Sequence, residues 1–227
     1  AAYKKSSAPI LLYHAVGDPV EIEWPPGMIL SAALFEEHLQ YLTQEGYQIV
    51  TVAELAERLK FGYSVEKFVA MSFDDGYRNN HSDALPLLKK YNAKASFYIV
   101  DRDIGKTIYM NQSQLLDLLA SDMEIGSHTI NHAPLALIDP KYLPWEVGSA
   151  KKFLEKKLDG YVLQGKAYPN GGYNKNVINA MREYGFVYGL TGKVGANTHQ
   201  NFAKAPYEMY RIPIVDDGSG LEGFKRR

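Results

Sequence analysis

Short apolar runs rich in β-branched residues alternate along this chain with segments of helical periodicity, and this alternation limits the fold more than any other feature. Such a pattern favours βα units built on a parallel sheet. Eight runs have the length and composition of strands: Ile10–Tyr13, Tyr47–Val50, Phe68–Phe73, Ala95–Val100, Glu124–Ser127, Gly165–Tyr168, Val187–Leu190 and Tyr210–Ile214. Eight strands in 227 residues predict one α/β domain over residues 1–227, whose sheet forms a complete or irregular barrel.

The segments between these runs carry helix signals and loop signals. Apolar residues at i, i+3 and i+4 spacing over Leu34–Leu42 predict an amphipathic helix. Thr51–Glu54 and Asn111–Gln114 have the spacing of capping boxes, so a helix should begin at each. The Trp24–Gly27 segment is predicted to be a turn-rich insertion, and Gly192–Pro206 a long loop at the rim of a site.

Composition excludes several classes of protein. The formal net charge of −1 offers no electrostatic basis for binding nucleic acid, and nothing in the sequence implies a protein partner. Cysteine is absent, so no disulfide framework exists and the fold must depend on its core. No stretch approaches the ~20 consecutive apolar residues of a transmembrane helix.

Candidate site residues follow four of the predicted strands, at the point where each strand ends. Asp74 and Asp75 come directly after one strand, and His14, His128 and Pro169 each follow or end another. Because barrel enzymes carry their chemistry at the carboxyl ends of parallel strands, we expect these residues to meet at one face.

Two imidazoles and two carboxylates at one face indicate metal-assisted hydrolysis. His128 and His132 are spaced i, i+4, which predicts that both lie on one face of a helical turn. With one carboxylate of the Asp74–Asp75 pair they would make a three-ligand site with room for water, and the other carboxylate would be a base. Taken alone, the Asp-Asp-Gly segment is typical of a turn and the histidine pair is incidental; the combination favours the metal site.

The motifs resemble those of the NodB-type polysaccharide deacetylases, carbohydrate esterase family 4. The first family motif, Thr-Phe-Asp-Asp-Gly, is similar to Ser72–Gly76, and the second, which begins and ends with His, is similar to His128–His132. Ala95–Ile99 resembles the strand between these motifs. The third motif, Arg-Pro-Pro-Tyr-Gly in many members, is altered to Ala-Tyr-Pro-Asn-Gly at Ala167–Gly171. The resemblance extends over Pro9–Val215, and a branch of the family carries a Tyr-His near the N-terminus, as this chain does.

The resemblance implies an irregular (β/α) barrel of about seven parallel strands. It also implies an enzyme that removes N-acetyl groups from N-acetylhexosamine residues of a cell-wall or extracellular polysaccharide and releases acetate. Asp75, His128 and His132 would hold a divalent metal, with Zn²⁺ expected and Co²⁺ or Ni²⁺ as alternatives, and Asp74 would be the catalytic base. An extracellular or cell-surface location in a bacterium is implied, with any signal or anchor outside these residues.

The altered third motif bears on the substrate and on the base. By resemblance, Tyr168, Pro169 and Asn170 would line the substrate site, and a backbone N–H near Asn170 would help to stabilise the oxyanion. The arginine that orients the base in many members is Ala167 here. Arg211 is a candidate for that task, although the sequence does not establish it.

The general acid is expected to be His14. Many family members supply a histidine near the C-terminus, but the last predicted strand of this chain has none. Because the first and last strands of a closed barrel are neighbours, His14 would occupy nearly the same space. His199 is the reserve candidate, and His38 and His81 are interpreted as helix-surface residues.

Three other functions are compatible with parts of this pattern. The same machinery would hydrolyse O-acetyl esters of a plant polysaccharide such as xylan. Two histidines and a carboxylate are also the ligand set of non-haem Fe(II) enzymes. An inactive carbohydrate-binding barrel is the third alternative. Asp74 argues against the last two, because neither needs a spare carboxylate beside the metal.

Overall fold

The structure is a computed structural model that describes residues 6–17 and 28–227, so the predicted turn-rich insertion at Trp24–Gly27 lies outside the described residues. The strands are β1 (Ser7–Tyr13), β2 (Ala15–Val16), β3 (Ile29–Leu30), β4 (Gln48–Val50), β5 (Phe68–Phe73), β6 (Ser96–Ile99), β7 (Glu124–Ser127), β8 (Gly165–Ala167), β9 (Tyr188–Leu190), β10 (Ala196–Thr198) and β11 (Ile212–Pro213). The α-helices are α1 (Ala32–Gln44), α2 (Val52–Phe61), α3 (Leu85–Lys90), α4 (Gln112–Ala120), α5 (Ala150–Lys157), α6 (Lys175–Glu183), α7 (His199–Lys204) and α8 (Gly220–Lys225). Across these residues, no helix has both the length and the apolar character needed to cross a membrane.

One curled sheet forms the centre of the described chain, and helices pack on its outer surface. Its order is β10-β1-β5-β6-β7-β8-β9, with β11 also paired to β1 and β4 also paired to β5. All of these pairs are parallel except that of β10 with β1. The predicted α/β fold with an irregular barrel is therefore confirmed, in the form of a curled half-barrel, and each of the eight predicted strands is present.

The first and last parallel strands lie side by side. Leu11 pairs with Ile212 and Leu12 with Pro213, in parallel register. The amide of Ile214 then donates to the carbonyl oxygen of Leu12 at 2.8 Å. This contact confirms that β1 and β11 are neighbours, and it brings the residues that flank the two strands to the same edge.

Large side chains fill the inside of the half-barrel. The rings of Tyr98 and Tyr188 are fully buried, and a Cβ added at Gly126 or Gly165 would lie 2.3 or 2.1 Å from a ring atom of Tyr98 or Tyr188, respectively. The buried carboxylate of Glu124 accepts a hydrogen bond from the first turn of α2 at 2.9 Å. These contacts close the amino-terminal end of the barrel, so the open space lies at the carboxyl ends of the strands.

The two predicted capping boxes are confirmed, and a third one begins a helix where a loop was predicted. The capping boxes at Thr51–Glu54 and Asn111–Gln114 are present. The prediction of a long loop at Gly192–Pro206 is wrong, because that segment contains β10 and α7. A third capping box at Thr198–Asn201 begins α7. Its third helical residue is Asn rather than the usual Glu or Gln, so the signal is weak in the sequence.

His38 is not a helix-surface residue as predicted, whereas His81 is partly exposed and bonds Asp117 at 2.8 Å. The His38 side chain lies on the buried face of α1 and is 2% exposed. Its ring stacks on Phe224 of α8, with centroids 3.9 Å apart, and its Nδ1 lies 3.3 Å from the Tyr13 hydroxyl. The short helix α8 covers this face, and nothing in the local pattern around His38 indicates that cover.

Burial of His38 makes the stability of the fold sensitive to acid. Burial, helped by the nearby Arg227 guanidinium and opposed by Asp216, lowers the pKa of His38 to about 4. An unfolded histidine titrates near ~6.5, so only the unfolded chain binds this proton between the two values. The stabilisation is therefore complete above pH ~6.5 and falls as the pH drops toward 4, by roughly 2 kcal/mol at pH ~4.5.

A His38→Phe variant should lose this part of the pH dependence, which urea unfolding between pH 7 and 4.5 would measure. The matched control is His81→Phe, since that histidine is partly exposed. The assignment to His38 would be wrong if the unfolding free energy of His38→Phe had the same slope against pH as that of the unsubstituted protein.

Candidate active site

The two adjacent carboxylates emerge where β5 ends. The amide of Asp74 donates to the Tyr13 carbonyl oxygen at 3.0 Å, which extends the pairing with β1 by one residue. Asp75 then adopts φ 74°, in the left-handed region that non-glycine residues rarely occupy. The chain turns at Asp75, and the two carboxylates acquire different partners.

His128 and His132 lie in an irregular loop, so the predicted helical turn is wrong. Thr129 and His132 have φ values of 71° and 55°, which no right-handed helix allows. The backbone amides of Ile130 and Asn131 each donate to the Glu146 carboxylate at 3.1 Å. Because these amides bond to a side chain outside the loop, the segment departs from a helix while still bringing its histidines together.

Asp75, His128 and His132 converge on one point. The Oδ1 atom of Asp75 is 3.4 Å from the Nε2 atom of each histidine, and the rings of the two histidines have centroids 4.9 Å apart. All three donor atoms lie within 4.8 Å of one another. Tetrahedral ligation at about 2.0–2.1 Å separates ligand atoms by about 3.3–3.4 Å, so the spacing suits a small divalent cation.

The orientation of His128 also fits a metal ligand. Its Nδ1 lies 2.9 Å from the carbonyl oxygen of Ala167, which can only accept a hydrogen bond. Nδ1 therefore carries the proton, and the lone pair of Nε2 points toward Asp75. A metal-binding histidine is ordinarily fixed by such a bond from its other nitrogen. The described residues thus fit a cation held by three side chains, with a further position open to the cavity.

A tyrosine that the sequence analysis missed fixes the other oxygen of Asp75. The Tyr77 hydroxyl donates to Oδ2 of Asp75 at 3.0 Å, and its ring stacks on Tyr109 with centroids 5.2 Å apart. Burial, with the Asp75 charge adding to it, raises the pKa of Tyr77, so the phenol stays protonated and remains a donor. The position directly after the Asp-Asp-Gly segment is the one sequence signal that points to it.

Arg211 holds Asp74. Its Nη1 donates to Oδ1 of Asp74 at 2.8 Å, and its Nε donates to the Thr191 carbonyl oxygen at 3.1 Å, so both sides of the guanidinium are fixed. Burial by itself would raise the pKa of Asp74, but Arg211 and His128 outweigh it and hold that pKa below the usual range. The arginine missing at Ala167 is thus replaced by one that precedes β11.

A cavity of about 290 Å³ opens above these groups, and most of the remaining predicted site residues line it. His14, Tyr168 and Asn170 are part of its wall together with Asp74, Asp75, His128 and His132. Pro169 is buried and is not among the lining residues. The structure does not bring the reserve candidate His199 to the cavity; its Nδ1 lies 2.6 Å from the Leu59 carbonyl oxygen at the end of α2.

The turn that carries Asn170 is set by close backbone packing. Asn170 and Gly171 have φ values of 56° and 68°, and a Cβ at position 171 would come within 2.3 Å of the Gly192 nitrogen. Glycine is required there, because two backbone segments meet at the rim of the cavity.

On the opposite wall, burial lowers the pKa of His14, although Asp74 and Asp75 act in the other direction.

Comparison with known proteins establishes the family. Residues 62–189 match the family model described as polysaccharide deacetylase, so the chain belongs to the polysaccharide deacetylase family. The resemblance seen in the sequence motifs is confirmed.

Relatives and solved structures agree with this membership. The chain is 28% identical over 237 residues to a poly-beta-1,6-N-acetyl-D-glucosamine N-deacetylase of Staphylococcus epidermidis, covering 94% of this chain and 80% of that protein. It is 32% identical over 123 residues to a peptidoglycan-N-acetylglucosamine deacetylase of Bacillus cereus, covering 53% and 54%. The structure of the Streptococcus pyogenes deacetylase PplD in complex with acetate superposes with a TM-score of 0.86 at 26% identity, over 97% of both chains.

Proposed function

We propose that this chain is a metal-dependent hydrolase that removes N-acetyl groups from N-acetylhexosamine residues of a cell-wall or extracellular polysaccharide and releases acetate. One observation carries the proposal: a buried carboxylate, Asp74, is held by Arg211 beside three convergent metal-binding side chains without being one of them. The names of the relatives support this class of substrate. We also propose an extracellular or cell-surface location in a bacterium, where such polymers are found.

Asp75, His128 and His132 would hold the divalent ion, and we propose Zn²⁺ ahead of Co²⁺ or Ni²⁺. Imidazole nitrogens and carboxylate oxygens suit all three ions. When bound, the ion supplies Lewis acidity that polarises the acetyl carbonyl and lowers the pKa of water in the site. Tyr77 keeps the Asp75 carboxylate in one orientation by bonding the oxygen that points away from the histidines.

Asp74 is the proposed general base. Its Oδ1 is engaged by Arg211, whereas its Oδ2 lies 4.0 Å from the His128 Nε2 atom, on the side of the metal-binding residues. Oδ2 is therefore the oxygen that we assign to accept the proton of the attacking water. Arg211 keeps the carboxyl group ionised, so it is ready to accept that proton at neutral pH.

His14 is the proposed general acid, because an amine leaves only when it is protonated. It lines the cavity on the wall formed by the end of β1, across from the turn that carries Asn170. Cleavage of the amide C–N bond would transfer a proton from the imidazolium form of His14 to the departing nitrogen, and the proton that Asp74 takes from water would return the two groups to their starting state. Acetate and a free amine on the sugar are the products. The Tyr168 hydroxyl donates to the Tyr207 carbonyl oxygen and its amide to that of Leu190, so a backbone N–H near Asn170, rather than Tyr168, would help to stabilise the oxyanion.

Replacing His14 with Gln should lower the hydrolysis of an N-acetyl amide more than that of an O-acetyl ester. An amine needs a proton to leave, whereas an alkoxide needs it less, and general acid catalysis contributes roughly 10²–10⁴-fold. Rates on an N-acetylglucosamine oligomer and on an acetate ester, with equal bound metal, would measure the difference. If both rates fell by the same factor, His14 would not be the acid.

The proposed function is tested by acetate release from β-1,6- and β-1,4-linked N-acetylglucosamine oligomers, peptidoglycan and acetylated xylan. Each substrate is offered to the chelator-treated protein before and after Zn²⁺, Co²⁺ or Ni²⁺ is restored. We expect release from an N-acetylglucosamine polymer only with metal. Release from acetylated xylan alone would favour the O-acetyl esterase alternative. No release from any glycan despite a loaded site would overturn the proposal.

A further inference from the structure

The loop from His128 to His132 has an unusual backbone conformation. Thr129 and His132 are both in the left-handed region although neither is glycine. Such residues keep this conformation only when the surrounding structure imposes it. The spacing of the two histidine nitrogens therefore depends on contacts from outside the loop.

Glu146 supplies the central contacts. This side chain comes from the wide helical turn that leads into α5, and it is 5% exposed. One carboxylate oxygen accepts from the amides of Ile130 and Asn131 at 3.1 Å each, and the other accepts from the Asn131 side chain at 2.6 Å. Ile130 and Asn131, which lie between the two histidines, thus donate three hydrogen bonds to the buried carboxylate of Glu146.

Lys166 contacts both Glu146 and the end of β7. This lysine of β8 is fully buried, and its Nζ donates to Ser127 Oγ at 2.7 Å and to the Glu146 carbonyl oxygen at 3.3 Å. Lys166 therefore links Ser127, which precedes His128, to the backbone of Glu146, whose side chain holds the loop. Burial lowers the pKa of Lys166, and the nearby carboxyl groups of Asp101 and Glu146 act in the opposite direction.

We propose that Glu146, supported by Lys166, is a positioning residue that sets the distance between His128 and His132 and thereby the affinity of the site for a divalent cation. The inference rests on the proposed metal-dependent function. Glu146 touches neither the cation site nor the substrate cavity, so it acts through the loop. Outer-shell partners of metal ligands typically change affinity by about 10–100-fold when they are replaced.

The test compares Glu146→Gln with a matched control, Glu155→Gln. Glu146→Gln replaces one of the two acceptor oxygens with an NH2 donor and removes the negative charge, so the hydrogen bonds that hold the loop N–H groups are weakened. Glu155 also accepts a backbone hydrogen bond, from Leu163 at 3.0 Å, and its hydrogen-bond partners lie outside the loop. Zn²⁺ dissociation constants come from competition with a chromophoric chelator. We expect the constant to rise about 10–100-fold in Glu146→Gln and by less than about twofold in Glu155→Gln.

Hydrogen exchange of the Ile130 and Asn131 amides in the metal-free protein gives a readout that does not depend on activity. Both amides should exchange faster in Glu146→Gln and be unchanged in Glu155→Gln. If Glu146→Gln does not fold, Asn131→Ala removes one of the three bonds and should still raise the dissociation constant severalfold. Unchanged Zn²⁺ affinity in the folded variants, or an equal loss in the control, would overturn the proposal. A metal-loaded protein that releases no acetate would instead refute the proposed function.

Discussion

Replacement of Asp74 with Asn should lower acetate release by about 10²–10⁴-fold, the range expected for loss of a general base. The substitution keeps the shape of the side chain, and the Asn oxygen can still accept from Arg211, which bonds Asp74 at 2.8 Å. It removes the basic oxygen that would take the proton of water. Steady-state kinetics on an N-acetylglucosamine oligomer would show the loss in kcat.

The same variant should still bind Zn²⁺, because Asp74 is not one of the three convergent donors. The Zn²⁺ dissociation constant of the Asp74→Asn variant, measured by chelator competition, should stay within a few-fold of that of the unsubstituted protein. A variant that kept most of its kcat would exclude Asp74 as the base. A variant that lost the metal together with activity would show that Asp74 is a ligand instead.

Replacement of Arg211 with Met should reduce both activity and stability. The side chain is 2% exposed, and its removal leaves the buried Asp74 carboxylate without its partner. Breaking a buried ion pair in this way costs about 3–5 kcal/mol. Acetate release should fall by roughly 10²-fold, since a small displacement of a catalytic group has an effect of that size. Loss of the positive charge also raises the pKa of Asp74, so the acidic limb of the kcat/KM profile should move to higher pH.

Arg58→Met is the matched control for this prediction. Arg58 donates to the Ser64 carbonyl oxygen at 3.2 Å and lies over the Phe68 ring, at the opposite end of β5 from Asp74. Urea unfolding and acetate release should be measured on both variants. Arg211→Met with an unshifted pH profile and normal kcat in its folded fraction would contradict the role of Arg211 as the support of the base.

The strands and the motif residues could be predicted from the sequence because they obey local rules. Buried parallel strands such as Phe68–Phe73 are continuous apolar runs, and their ends are marked by polar residues. The carboxyl ends of neighbouring parallel strands share one edge, so the sequence alone predicts that Asp75 and His128 are close. The structure brings both together with His132.

The remaining features depend on contacts between distant parts of the chain. Arg211 reaches Asp74 across 137 positions, and only the pairing of β11 with β1 makes this possible. Glu146 determines the loop after His128 through bonds to the backbone, which leave no periodic pattern in the sequence. The i, i+4 spacing of the histidines therefore predicts the correct pair but the wrong local conformation. The buried position of His38 follows from the docking of α8, which no residue near His38 reveals.

The pairing of β1 with β11 has a consequence for chain synthesis. The cation-binding trio is complete once residue 132 has been made, but the guanidinium that supports Asp74 arrives some eighty positions later. A nascent chain therefore contains the three proposed ligands before Glu146 can hold their loop and before Arg211 can support Asp74. Loss of the segment after α7 would remove Arg211, β11 and α8 together, and with them the partner of Asp74 and the cover of His38.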